Sequence, residues 1–245
     1  MSKETAGETA KEPVWMPVAL SASIEPGTSA GAVINGAEIV VWRDSKGAAH
    51  VWEDRCPHRG MRMSFGFVRG DHIACLYHGW AYDTAGQCQY IPAHPDLEVP
   101  KTIKIPTYAV EERSGLIWTA LADDTDVAGV PDLGAVVPVR SLYTDCSLEH
   151  ALAVLGKAEL PEAGSAPAPA SLEKLTANCW ALTAGTTRLL VAAQTVGAAK
   201  TALHILIDDT GGKAAALRAP VARWAEALRG TLEASAPGAL MAEVA

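Results

Sequence analysis

Two short loops hold the residues best able to do chemistry. CPHRG (56–60) places Cys56 two residues before His58, and CLYHGW (75–80) places Cys75 three residues before His78. Sixteen residues separate His58 from Cys75. Two thiolates and two imidazoles form a strong donor set for a soft or borderline metal. A glycine follows each pair, Gly60 and Gly79. Glycine there lets the backbone approach a bound group closely and turn its N–H groups toward it.

Two centres use such donors. One is tetrahedral zinc. The other is a Rieske-type [2Fe–2S] cluster, in which two Cys hold one iron and two His the other. Zinc sites of the classical kind pair Cys with Cys and His with His. Here each loop brings one of each, as a binuclear centre requires, because each loop must then reach both metals.

The elements that must position these loops read as short strands. AVIN (32–35), EIVVWRD (38–44), AHVWED (49–54), HIACLY (72–77) and GLIWTAL (115–121) are punctuated by turn residues such as DSKG (44–47) and DTAG (83–86). They predict a compact antiparallel β domain over 14–122, after a disordered tail at 1–13. From 123 to 245 the pattern changes to a small α+β domain. Leu148, Ala151, Leu152 and Leu155 share a helical face. The Ala/Pro-rich stretch 156–171 reads as an extended loop. NCWALTA (178–184), TRLLVAAQT (187–195) and TALHILID (201–208) read as strands, and a last helix is expected from about Pro220.

Composition narrows the partners. The 245 residues carry a formal net charge of −8 and no long basic run, which argues against nucleic acid and anionic membrane surfaces. No apolar run is long enough to span a bilayer. Five cysteines are too few for a secreted disulfide scaffold of this size. The polar start lacks the apolar stretch of a signal peptide, so a cytoplasmic location is the expectation. No G-x-G-x-x-G opens a helix after a strand, and no phosphate-binding G-x-x-x-x-G-K-[ST] loop is present.

C-P-H-R-G, the gap, and C-x-Y-H-G-W together resemble the Rieske domain of ring-hydroxylating and demethylating non-heme iron oxygenases. WMPVAL (15–20), Arg43-Asp44, Asp83 to Gly86, IPA (91–93) and GLIW (115–118) extend the resemblance over about 13–122. Leu76 departs from it, where the family often has Pro. The resemblance implies an antiparallel β-sandwich Rieske domain followed by a reduced helix-grip catalytic domain. It implies a [2Fe–2S] cluster, with Cys56 and Cys75 on the inner iron and His58 and His78 on the outer, electron-passing iron. Respiratory relatives carry two bridging cysteines where this chain has Met61 and Tyr77, and a sulfide-bonding Ser where it has Trp80. Losing that bond points to the low end of the Rieske range, roughly −150 to +300 mV.

The family's oxygenases also hold a mononuclear iron with two His and a carboxylate. The expected Asn, Asp and His of that site are absent; Val154, Lys157 and Leu160 stand in their places. His150 and His204, with Glu149, Asp208 or Asp209, are the only substitutes, and both histidines read more simply as structural. Cys88, Cys146 and Cys179 read as small buried residues, and His50, His72 and His94 as solvated or structural. Trp80 is expected to shield the cluster from water. The chain is therefore expected to be an electron-transfer protein or non-catalytic subunit. It would be served by a separate flavin or ferredoxin reductase, and a full-length Rieske oxygenase subunit could be its partner, in a trimer or mixed oligomer. The alternatives are a compact oxygenase with its own iron, or a structural zinc protein.

Overall fold

The computed structural model describes residues 15–121 and 126–236. The expected tail at 1–13 and the junction at 122/123 lie outside them.

The N-terminal part begins with β1 (Met16–Leu20), β2 (Ser29–Ile34), β3 (Ala37–Arg43) and β4 (Ala49–Glu53). Asn35 and Gly36 alone join β2 to β3, with φ of 49° and 85°. That is the two-residue hairpin an Asn-Gly pair favours. The chain then leaves the sheet for a four-stranded meander: β5 (Phe67–Arg69), β6 (His72–Ala74), β7 (Ala81–Asp83) and β8 (Cys88–Tyr90). It returns with β9 (Thr107–Arg113) and β10 (Leu116–Ala120) to complete a six-stranded antiparallel sheet in the order β1-β10-β9-β4-β3-β2. Because β4 and β9 are neighbours, everything between them is an excursion from one sheet to a second.

DSKG and DTAG make the same turn. Asp44 Oδ1 accepts the N–H groups of Lys46 and Ala48, and Asp83 Oδ1 those of Ala85 and Gln87. In each, the glycine three residues on has positive φ. Arg43 ties the sheet together. Its buried guanidinium pairs both oxygens of Glu112 on β9 at 2.7 Å and also donates to the carbonyls of Ser21, Ile24 and Gly47. Charge-assisted, bidentate pairing of this kind holds a fixed geometry.

The C-terminal part runs β11 (Val136–Thr144), α1 (Leu148–Leu155), β12 (Glu159–Leu160), β13 (Ala168–Pro169), β14 (Ser171–Lys174), β15 (Cys179–Ala184), β16 (Thr187–Gly197), β17 (Lys200–Asp208) and α2 (Ala214–Ala234). Ser147 caps α1 by accepting the His150 N–H. The stretch 156–171 is not wholly irregular, since β12 and β13 pair within it. The five-stranded sheet has the order β11-β17-β16-β15-β14. Helix α2 starts earlier than the expected Pro220, which sits inside it. Ala214 and Leu217 extend the stripe of Val221, Ala225, Leu228 and Leu232 upstream, and all six are buried. The burial gained along that face outweighs the one backbone bond that proline removes.

This sheet is covered on both sides, which is why its strands read as continuous apolar runs. One face packs on α2 through Leu203, Ile205 and Ile207. The other packs Ala181, Leu190, Ala192 and Leu206 against Trp15, Leu20, Leu116 and Trp118 of the N-terminal sheet. Polar bonds cross the same boundary: Asn178 Nδ2 donates to the Trp15 carbonyl, and Gln194 Nε2 to that of Val33.

His204 lies fully buried in this boundary. Burial lowers its pKa to about 4, against a smaller opposing effect of the Pro17 carbonyl. Above pH 6.5 it is neutral folded or unfolded. As pH falls, the unfolded chain protonates first, so stability is lost between about 6.5 and 4. Between pH 7.5 and 5.5 this amounts to about 1 kcal/mol. Urea unfolding at the two pH values should show that loss in the native chain and its absence in His204→Gln; equal pH dependence in both would exclude it.

Candidate metal centre

The two loops are built alike. In the first, Gly60 N–H donates to the Cys56 carbonyl and Cys56 N–H to that of Met61. In the second, Gly79 N–H donates to the Cys75 carbonyl and Cys75 N–H to that of Trp80. Each is a five-residue knuckle closed by a left-handed glycine, with φ of 73° at Gly60 and 69° at Gly79. The turn explains why the expected strand HIACLY stops at Ala74. Just after β4, Asp54 closes the loop that contains the first knuckle, accepting both Ser64 N–H (2.7 Å) and Ser64 Oγ–H (2.6 Å).

The knuckles sort their donors by depth. Cys56 and Cys75 are buried, in one core with Trp42, Trp52, Met63, Ile73 and Tyr82. His58 is half-buried and His78 exposed. The imidazoles meet edge to face at 4.6 Å between centroids. Trp80 stacks on His58 at 4.3 Å and 5° between planes, and Tyr77 leans on His78 at 3.9 Å. Burial pushes the Cys75 thiol pKa up, while the N–H groups of Tyr77 and His78 favour its thiolate. Backbone donors are thus already aimed at sulfur.

Tyr82 is a functional candidate that motif reading missed. Its hydroxyl lies 3.2 Å from Cys56 Sγ. Burial raises its pKa, so it remains protonated and can donate to a thiolate. The signal was its position on β7, where the core-facing row Val68, Ile73, Tyr82 crosses the meander.

The other candidates are dispersed. Cys88, Cys146 and Cys179 are free and buried. His50 bonds Asp44 and stacks on Trp42, and His72 lies beside Asp71 on the meander. His150 Nε2 meets Ser235 Oγ at 3.0 Å; His204 is held by Ser141 and Gln194. Asp208 faces Arg188 and Thr210, and Asp209 Oδ1 accepts the Ala214 N–H at the start of α2. Glu149 sits in the first turn of α1. Among the described residues, no three His, Cys, Asp or Glu side chains converge as a single-ion site would require. A deep thiol pair beside a shallow imidazole pair suits two metals, each with its own pair, better than one tetrahedral zinc.

Residues 14–108 match the family model of the Rieske [2Fe-2S] domain. This segment is a Rieske domain, and it implies a Rieske-type [2Fe–2S] cluster. The chain is 39% identical over 108 residues to oxidoreductase NdmD of Pseudomonas putida, covering 44% of this chain and 18% of that protein. It is 38% identical over 128 residues to the 4beta-methylsterol monooxygenase of Methylococcus capsulatus, covering 49% of this chain and 34% of the other. The chain thus matches only a fifth to a third of the length of these relatives. Its fold extends the likeness. Apo dicamba monooxygenase superposes with a TM-score of 0.72 at 18% identity, over 96% of this chain and 89% of that one. Residues 14–108 thus match the Rieske [2Fe-2S] domain, and the chain as a whole shares its fold with this oxygenase structure. No helix among the described residues is long and apolar enough to cross a membrane.

The knuckles differ in their tolerance of a side chain. A Cβ at Gly60 would come no nearer than 3.6 Å to Arg55 Nη1, a flexible tip, whereas one at Gly79 would meet Pro92 Cγ at 3.0 Å. Left-handed backbone alone costs roughly 1–2 kcal/mol for an L-residue. Chemical denaturation should show Gly60→Ala losing about that much and Gly79→Ala more; equal losses would mean the Pro92 contact relaxes freely.

Proposed function

We propose that Cys56 and Cys75 hold one iron and His58 and His78 the other, and that the chain passes single electrons from a separate flavin or ferredoxin reductase to an oxygen-activating iron on a partner oxygenase subunit. The observation that carries the reading is the pair of matched knuckles, which sets two thiols in the core and two imidazoles at the edge. Once bound, such a cluster takes up and releases one electron at a time. The chain's own residues do the rest. Buried Cys56 and Cys75 anchor the centre away from water. His58 and His78 present its outer side to a partner, with Trp80 covering one imidazole. The proposed division of the chain is 14–122 for the cluster and 123–245 for a reduced catalytic-type domain, working as a non-catalytic subunit in the cytoplasm, in a trimer or mixed oligomer.

The whole-length likeness to dicamba monooxygenase favours a second reading, a compact oxygenase with its own mononuclear iron. Against it stand the hydrogen bonds that already occupy His150, His204 and Asp209. Iron and acid-labile sulfide per chain, on anaerobically purified protein, separate the two. About two of each supports the carrier; a reproducible third iron supports the oxygenase.

Tyr82 gives a test of the ligand assignment. Donation to Cys56 Sγ favours the reduced, more negative cluster. A bond worth about 1 kcal/mol corresponds to roughly 40 mV for one electron. Tyr82→Phe should lower the potential by about that amount in a spectroelectrochemical titration. An unchanged potential would remove Cys56 from the assignment or the bond from the reduced state.

A further inference from the structure

Ser141 and Tyr143 stand two residues apart on β11 and so share a face. Between that strand and β1, β2 and the turn at Ser21–Ser23 lies a cavity of about 550 Å³. The size is that of a small-molecule site. Its walls are mainly apolar, with Val18, Leu20, Ile24, Ala30, Ala32 and Val139 among them.

The buried network behind the cavity fixes the polarity of its floor. Gln194 spends its amide N–H on the Val33 carbonyl at 2.8 Å, so its Oε1 turns to His204 Nε2 at 3.3 Å. An oxygen acceptor there requires the proton on Nε2. Nδ1 is then bare and takes the Ser141 hydroxyl proton at 2.7 Å. Ser141 Oγ is left as an acceptor only. The Tyr143 hydroxyl makes no hydrogen bond to another described side chain or backbone group, and a phenol is neutral near pH 7, so it can donate. Arg140 also lines the cavity, but its guanidinium is taken up by the Ala222 carbonyl and Glu226 of α2.

An acceptor and a donor on one face match a hydroxyl, which gives one hydrogen bond and receives one. We propose that this cavity binds an uncharged small molecule with an apolar body and a single hydroxyl group, which donates to Ser141 and accepts from Tyr143. The site owes nothing to the cluster ligands, so it stands or falls apart from the electron-transfer reading.

Calorimetric titration of the full, cluster-bearing chain tests it with 4-propylphenol, propylbenzene and 4-propylbenzoate. The phenol should bind saturably at one site per chain, more tightly than the hydrocarbon and far more tightly than the carboxylate. Tyr143→Phe should weaken the phenol about fivefold, the loss of one ordinary hydrogen bond, and leave propylbenzene unchanged. Ala32→Trp should abolish binding by filling the cavity. Tyr143 is 43% exposed, so its phenylalanine variant carries the test if the tryptophan variant does not fold. No saturable heat, equal binding of the benzoate, or phenol binding indifferent to Tyr143→Phe would each overturn the proposal.

Discussion

In the proposed centre two sulfurs must be dry and two imidazoles reachable, yet each loop supplies one of each. That constraint governs the molecule. A strand does not meet it, because residues two apart, as Cys56 and His58 are, would share one face of the sheet. A tight knuckle can. It turns the chain within five residues, drops the cysteine into the core and returns the histidine to the edge. The turn needs a left-handed residue where it closes, and Gly60 and Gly79 fill that place. The knuckles differ by one residue between Cys and His, so their histidines approach from different directions and meet edge to face rather than stacked.

Knuckles alone would be floppy, and the rest of the N-terminal part supplies rigidity. The meander carries the second knuckle between β6 and β7, where only three residues of strand flank it on each side. Strands so short hold little by themselves. Their inner row packs into the same core as both cysteines, so the core and the proposed cluster stabilise one another. Asp54, just past the end of β4, bonds Ser64 and so ties the far end of the loop that contains the first knuckle back to the large sheet. Arg43 and Glu112 then join β3 to β9 near its end, bracing the sheet from which the excursion departs.

Much of this was legible in residue order, for identifiable reasons. Asn35-Gly36, Asp44 to Gly47 and Asp83 to Gly86 use local side-chain and glycine chemistry, and local chemistry survives in any context. The interior strands β15, β16 and β17 announced themselves through unbroken apolar runs. The two knuckles were legible because Cys and His recur there at close spacing, each pair followed by a glycine. Tyr82 was not, because its role depends on which strand lies beside Cys56. The start of α2 was missed because proline's preference for a first turn is a weak local rule, and a buried stripe of six residues overrode it. The second half of the chain carries no comparable motif, so its expected likeness to a catalytic domain rested on the order of strands and helix, which the fold bears out.

The sheet of that second half packs between α2 and the N-terminal part, and several of its polar residues serve that packing. His204 and Gln194 bridge the sheets, and Asp209 caps a helix. A histidine in a metal site needs one nitrogen free of protein partners and a route to the ion. His204 has both nitrogens engaged and no exposed surface. Freeing it would break the relay to Ser141 and strand the Gln194 carbonyl in the boundary, at the full desolvation penalty of a buried polar group. The interactions that bind the two halves into one body thus oppose an iron at this histidine. The same interactions hold Ser141, on the wall of the cleft beside it, with its hydroxyl proton turned to His204.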